Sequence, residues 1–391
     1  MNRDEIVSAG TRAPGGNPEL VARIRAAIDD AGGAISFADY MDLALFAPEL
    51  GYYSAGAGQF GSGGDFVTAP ELSPLFARCV AGQVEEVLAV LGGGDICEVG
   101  AGSGVLAADL LERLAAAECL PRRYSIIERS PALRERQRTH LASRLAGEAA
   151  RVGWQDELPR DFCGVVLANE VLDAMPVHRF RVQAAEIHEC RVGWQDGGFR
   201  WVEADCSGST LAKHVETVLS SLDHPLPEGY VSECAPARQR FIGSLGACLK
   251  RGVVLLSDYG YARAEYYHPQ RASGTLRCFH RHQAHDDPLI LTGLQDISVH
   301  VDFTAVAEAA LAAGFDVAGY TTQAEFLLAT GLLEACRGVD PASRQHVELT
   351  AQIKRLTLPG QMGEAVKVLA LARDYDGSLA GFSGRDLRGR L

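Results

Sequence analysis

No run of about 18 apolar residues occurs anywhere in the chain, so no membrane-spanning helix is expected. The opening stretch, MNRDEIVSAGTRAPGGNPEL, lacks an apolar core and carries acids early. It reads as neither a secretory signal nor a transit peptide. Positive charge is scarce: 37 Lys and Arg face 50 Asp and Glu, a formal balance of −13. Such a surface repels phosphates at long range, so a nucleic-acid partner is not expected, and a cationic one suits it better. Ten cysteines stand singly with no CxxC pair, the pattern of reduced thiols rather than of a disulfide framework. What remains is 391 residues, 47% hydrophobic and 22% charged, enough for one large soluble α/β core with additions.

Residues 1–18 read as a disordered tail. Helical periodicity follows in PELVARIRAAIDDAG and in SFADYMDLALFAP, the latter capped by Ser36 and stopped by Pro48. Together with the Gly- and aromatic-rich stretch GYYSAGAGQFGSGGDFVTAPELSP, residues 19–90 form an N-terminal helical cap and a loop. From residue 91 the pattern alternates. DICEVG, RYSIIER, ARVGW and FCGVVLANE read as strands separated by helices, which predicts a parallel sheet covered on both faces. Residues 177–205 break the rhythm as an inserted hairpin turning at Asp196-Gly197-Gly198. A polar, His-rich, strand-poor loop is expected over 261–300, the core is expected to end near 372, and 373–391 reads as a tail. The hexapeptide RVGWQD occurs at 151–156 and 191–196; nothing around the copies repeats, so it marks no internal repeat.

Glycines crowd the end of the first strand in Cys97-Glu98-Val99-Gly100-Ala101-Gly102-Ser103-Gly104. A triphosphate loop needs GxxxxGK[ST], but Gly104 precedes Val105 and the next lysine is Lys213. A dinucleotide loop, GxGxxG, places its third glycine one residue later than here. The spacing Glu-x-Gly-x-Gly-x-Gly resembles motif I of class I S-adenosylmethionine-dependent methyltransferases. There Gly100, Gly102 and Gly104 would let the backbone pass close to the cofactor, and Glu98 would help hold its ammonium. Glu128, 128 − 104 = 24 residues beyond the loop, is placed to accept both ribose hydroxyls, as it would be for NAD. The third strand ends in Gly153-Trp154-Gln155-Asp156, where an adenine lies in such sheets, with Gln155 beside it and Trp154 either stacking on it or joining the core.

The blocks MDLALFAPELGYYSAGAGQFGSGGDFVTAPELSPLF, EVGAGSG, LANEVLDAMPVH, SECAP, LSDYGY, GTLRCFHRHQAHDDPL, HVDF and MGEAVKVLALA occur in order over roughly residues 35–372. Together they resemble the MidA-like methyltransferase family, which includes a mitochondrial complex I assembly factor that methylates a protein arginine. One departure is Ala324, where a glycine is expected. The resemblance implies a seven-stranded Rossmann-like sheet with an N-terminal helical cap. It implies S-adenosylmethionine as cofactor and methyl transfer to an arginine side chain of a protein partner. With four lysines and no transit peptide, a bacterial cytoplasm is the expected location.

Donor and acceptor would both be cations, so carboxylates should gather at the acceptor site. Asn169 and Glu170 end the fourth strand on the methyl side. Glu170 is the expected guanidinium ligand, Asp173 the second choice or a helix cap, and Asn169 a cofactor contact. Glu233 is either a distant clamp partner or a buried structural acid, and Asp258 could line the acceptor channel. The 61–66 loop, with Gly64 and Asp65, could close over the cofactor. Cys278, His280, His282, His285 and Asp286 lack paired metal-ligand spacing, so no metal is expected, and the segment reads as a substrate-facing loop with Arg277 and Arg281. Two rivals stay open: a non-enzymatic assembly factor that keeps the cofactor fold, and an NAD-dependent oxidoreductase, although Tyr-x-x-x-Lys is absent. The sequence specifies neither the acceptor protein nor an oligomeric state.

Overall fold

The computed structural model describes residues 15–55, 67–145, 147–184 and 186–391. The chain enters through α1 (Pro18–Asp30), β1 (Ala34–Ile35) and α2 (Phe37–Phe46), then α3 (Ala69–Leu72) and α4 (Pro74–Leu91). Local chemistry sets these boundaries. Asn17 accepts the Glu19 and Leu20 amides with Pro18 in the first turn, Ser36 accepts the Asp39 amide, and α4 ends on Gly92 in the left-handed region.

The core alternates as the sequence predicts: β2 (Asp95–Val99), α5 (Val105–Ala116), β3 (Tyr124–Ile127), α6 (Pro131–Arg144), β4 (Val152–Gln155) and β5 (Phe162–Asn169). An excursion follows through β6 (His178–Gln183), β7 (Glu186–Gln195), β8 (Gly198–Asp205), α7 (Thr210–Ser220) and β9 (Val231–Cys234). The core resumes with α8 (Pro236–Cys248) and β10 (Leu249–Tyr261). A second excursion carries α9 (Arg263–Tyr266), β11 (Arg277–His280), β12 (Gln283–His285) and β13 (Asp296–Ser298). The chain closes with β14 (Val301–Asp302), α10 (Phe303–Ala312), β15 (Asp316–Thr322), α11 (Gln323–Ala329), α12 (Arg344–Thr357), α13 (Met362–Ala365) and β16 (Val366–Arg373).

The main sheet runs β15-β16-β10-β5-β2-β3-β4, seven strands along one path, with β14 added on β10. The strands from β4 to β10 are parallel, whereas β16 is antiparallel to both β10 and β15. Two apolar layers cover its faces. One packs α4 and α5 on Ile96, Val165 and Val253; the other packs α8 and α10 on Cys97, Val166 and Val254. Successive residues of each buried strand thus feed opposite layers.

Beside this core stands a second lobe. The expected hairpin at 177–205 is a three-stranded meander, β6-β7-β8, which β9 joins along β6 and β1 joins along β7 to make a five-stranded antiparallel sheet. The β7–β8 turn does fall at Asp196-Gly197. The 261–300 segment is not strand-poor, since β12-β11-β13 form a small sheet of their own. The N-terminal helices pack on this lobe: Phe37 and Tyr40 meet Trp201 and Phe199 with ring centroids 5.1 and 5.3 Å apart. Residues 15–18 are ordered against the lobe as well, where the Asn17 amide donates to the Thr292 carbonyl at 2.9 Å. The C-terminal segment docks on α4 and α11 rather than trailing. The Gly381 amide donates to Gln83 Oε1 at 2.9 Å, and the Phe382 ring lies 5.6 Å from that of Phe326.

Candidate active site

A cleft of about 1440 Å³ opens between the two parts, over the carboxyl ends of β2, β3, β5 and β10. That is where ligands bind in doubly wound sheets. Its donor side begins at the glycine loop. Gly100, Gly102 and Gly104 all take positive φ, +67°, +54° and +83°, a conformation that costs any other L-residue about 1–2 kcal/mol. A Cβ on Gly100 would also stand 2.9 Å from Val171 Cγ2. Glu98, two residues before Gly100, is buried and accepts the Tyr124 hydroxyl at 2.7 Å. Burial pushes its carboxyl up to about 7, against that hydrogen bond.

Glu128 follows β3. Its Oε1 accepts the Ser130 amide at 3.0 Å and its Oε2 the Gln137 amide at 3.2 Å, while burial raises its pKa. Gln137 also donates to the Gly102 carbonyl at 2.9 Å, tying the loop to this carboxylate. Trp154 does not take the adenine position. It stays outside the cleft, donating to Gln137 Oε1 at 2.8 Å with Arg138 4.8 Å over its ring. Gln155 donates to Ser125 instead, and the residues that do line the cleft there are Asp156, Glu157 and Leu158. The turn after β4, not the strand, thus lines the cleft.

On the acceptor side β5 ends in Asn169 and Glu170, both lining the cleft. Glu170 takes φ +52°, and its amide donates to the Ser257 carbonyl at 2.8 Å. Its Oε1 accepts the Ala69 amide at 3.2 Å and the Asn169 side chain at 3.3 Å. Burial first and Asp173 second push the Glu170 carboxyl up to about 8. Asp173 lines the same cleft, and its pKa is raised by burial and by Asp258 and Asp296.

Asp258 does not line the channel. It lies behind it, buried, with Oδ2 accepting the Val171, Leu172 and Asp173 amides at 3.1, 2.7 and 3.3 Å and Oδ1 the Tyr259 amide at 2.8 Å. It fixes the loop that carries Glu170 and Asp173. Arg238, on α8, completes the staple by donating to the Leu172, His300 and Val299 carbonyls at 2.7 Å each. Glu233 likewise stays away from the cleft. It is fully buried, accepts the Thr275 amide at 2.9 Å, and lies 3.8 Å from Arg179. Of its two readings it meets that of a buried structural acid, because β9 belongs to the second lobe's sheet.

Gly64 and Asp65 lie outside the described residues. Arg277, Phe279 and His282 of the His-rich run face the cleft, whereas Cys278 is buried behind and His280 Nδ1 pairs with the Leu294 carbonyl at 2.7 Å. Sequence reasoning missed Asp296, which lines the cleft from β13. It also missed Arg238 and the role of the TAPEL block. That block spans both halves, with Ala69 on Glu170 and Glu71 accepting the Ser103 hydroxyl. The only sequence signal for Asp296 was an acid in a polar segment.

The residues present fit S-adenosylmethionine. Without Cβ atoms the loop leaves room for close approach, Glu98 and Glu128 line the cleft with carboxylates of the kind an ammonium and a diol need, and buried Asn169 Oδ1 has no hydrogen-bond partner among the described residues. Known proteins agree. A family model described as S-adenosyl-L-methionine-dependent methyltransferase matches residues 79–321. A crystal structure from Burkholderia thailandensis, bound to S-adenosyl-homocysteine, is 43% identical with a TM-score of 0.90, covering 97% of this chain and 100% of that one. A second Burkholderia thailandensis structure is 42% identical with a TM-score of 0.89, covering 97% of this chain and 100% of that one. The mitochondrial protein arginine methyltransferase NDUFAF7 homolog of Drosophila melanogaster is 28% identical over 94% of this chain and 88% of its own length. The chain belongs to the MidA-like family of S-adenosylmethionine-dependent methyltransferases, and S-adenosylmethionine is its cofactor.

Proposed function

We propose that the enzyme transfers methyl to an arginine side chain of a protein. The observation that carries this reading is the pair Glu170 and Asp173 at the methyl end of the cleft, neither of them in an ion pair among the described residues. Burial and mutual repulsion raise the pKa of both carboxylates, that of Glu170 to about 8, and an arriving cation opposes the shift. A guanidinium entering beside them lowers both pKa values, releases protons and receives bidentate, charge-assisted hydrogen bonds. The naming of the Drosophila relative as a protein arginine methyltransferase supports the same acceptor.

S-adenosylmethionine, when bound, supplies a methyl on a sulfonium that leaves as a neutral thioether. The acceptor Nη forms the new N–C bond as the C–S bond breaks, and the electron pair of that bond stays on sulfur. Glu170 and Asp173 orient Nη and take the proton it sheds, passing it to water. The Asp258–Arg238 staple holds both carboxylates in register, which is the protein's share of proximity and alignment.

The test is Glu170→Gln in the full chain. Calorimetry with S-adenosylhomocysteine should give an unchanged affinity, while label transferred from methyl-labelled cofactor to a deletion-strain lysate disappears. Hydrolysis of the wild-type product should yield methylarginine. Label recovered in another amino acid would exclude the arginine acceptor.

A further inference from the structure

The methionine end of S-adenosylmethionine carries an ammonium, and the carboxylate that the sequence spacing offers it is poorly suited. Glu98 is 3% exposed, accepts the Tyr124 hydroxyl at 2.7 Å, and is raised by burial to about 7. Such a carboxyl is half protonated near neutral pH, a weak counter-ion before any cation arrives.

Glu71 brings a second carboxylate to the same loop from outside the core. It sits in α3, half-buried, and lines the cleft together with Gly100, Gly102 and Ser103. Its Oε1 accepts the Ser103 hydroxyl, so the side chain reaches the glycine loop itself. Its Oε2 has no hydrogen bond, and the residue no ion pair, among the described residues. Its own stretch of chain supplies no cation either, since no lysine or arginine occurs between Arg25 and Arg78. Contacts on both sides hold α3. Ahead of Glu71 the Ala69 amide donates to Glu170 Oε1 at 3.2 Å, and behind it the Ser73 hydroxyl donates to Gln352 Oε1 at 2.7 Å. A carboxylate on an element pinned this way is in place before a ligand arrives, which spares binding the cost of ordering it.

We propose that Glu71 is the carboxylate that holds the ammonium of the bound cofactor, so that the N-terminal cap supplies a cofactor ligand as well as an acceptor-side contact. An ammonium brings three N–H donors, and an ionised acceptor bonds them about twice as strongly as a neutral one. Glu71 stands ahead of residues 79–321, the segment the methyltransferase family model matches, so this ligand comes from outside that segment. The contact concerns the cofactor alone and stands whichever side chain accepts the methyl.

The experiment titrates the full chain calorimetrically with S-adenosylhomocysteine and with its deaminated analogue, in which hydrogen replaces the ammonium. The wild type should bind the analogue about tenfold more weakly. Glu71→Gln should lose about tenfold for S-adenosylhomocysteine and bind the analogue at least as well as the wild type does, because variant and analogue remove the two ends of one contact. Glu98→Gln should keep the preference for S-adenosylhomocysteine. A preference that survives in Glu71→Gln overturns the assignment, and its disappearance in Glu98→Gln instead returns the ammonium to Glu98. Equal losses for both ligands in Glu71→Gln overturn it as well, since they mark a role in holding the loop through Ser103. A wild type that binds both ligands alike overturns it too. Should Glu71→Gln fail to fold, Glu71→Asp carries the test. Its shorter arm should cost about threefold for S-adenosylhomocysteine and leave the analogue's affinity unchanged, and any other pattern overturns the contact.

Discussion

Asp258→Asn separates holding the acceptor loop from touching the acceptor. Asp258 Oδ2 accepts three consecutive amides, from Val171 to Asp173, and Oδ1 accepts a fourth from Tyr259. An amide in its place keeps one acceptor. Turned to serve the three-amide cluster, it sets its NH2 against the Tyr259 amide and leaves a buried donor unmatched, a cost of about 1–3 kcal/mol. The remaining bonds lose their charge assistance, roughly another 1 kcal/mol each. Removing a buried anion beside Glu170 offsets part of this. The net cost is about 2–4 kcal/mol, a fall of roughly 2–5 °C in Tm for a chain of 391 residues. Function should suffer more than stability. A displacement of Glu170 by about 1 Å is enough for a 10²-fold loss of transfer, while the glycine loop and Glu128 stay in place. Scanning calorimetry, S-adenosylhomocysteine titration and methyl transfer into lysate protein give the three readouts. Transfer within twofold of wild type, alongside the expected fall in Tm, would refute the assignment of Asp258 as the anchor of this loop.

Gly100→Ala should lower cofactor affinity and cost about 1–2 kcal/mol of stability from its left-handed backbone, with Val171 pushed aside; an unchanged titration isotherm counts against close backbone approach. Glu128→Gln should weaken S-adenosylhomocysteine binding by roughly tenfold, since a charge-assisted acceptor becomes a neutral one. The ligand-free enzyme should lose stability as pH rises. Glu98, Glu170 and Asp258 have carboxyls raised to about 7, 8 and 7, so the folded state binds more protons than the unfolded one, and their stabilisation disappears between about pH 4 and 8. Melting temperatures across that range should fall, and an upward trend would contradict the burial assigned to these groups. Phe382→Ala should destabilise by about 3 kcal/mol, because the ring packs on Phe326 and against Gly319.

The parallel core was legible because its strands are short apolar runs between capped helices, and period alone separates them. The donor side was legible for a related reason. Glycines at alternate positions after an apolar strand, and an acid ending the next strand, are local signals. The acceptor side was only half readable. Glu170 and Asp173 sit on a core strand end, but Glu233 and Asp258 have the same appearance in sequence, an acid closing an apolar run, and fold into the interior. Glu233 is carried off because β9 pairs with β6 of the second lobe, and Asp258 turns inward to take the amides of Val171, Leu172 and Asp173. That lobe draws β1 from the N-terminal cap and β6 to β9 from the middle of the chain, and pairing at such separations leaves no periodic trace. Asp296 was missed because it opens a strand inside a segment read as strand-poor, and of the two readings of Trp154 the structure meets the one that keeps it off the cleft, bonded to Gln137 and beneath Arg138.

The last long strand lies in the interior of the main sheet. β16 is inserted between β10 and β15 and pairs with each over most of its length. During synthesis a nascent chain that has emerged only to residue 360 has its glycine loop and every cleft carboxylate, but β15 has no neighbour and β10 shows a bare edge. β10 is apolar along Val253, Val254, Leu255 and Leu256, and such an edge invites pairing with another chain. The enzyme therefore cannot form its cofactor fold progressively from the N-terminus. It must wait for Val366–Arg373, and premature termination only slightly upstream of that strand leaves an aggregation-prone product rather than a weakened enzyme.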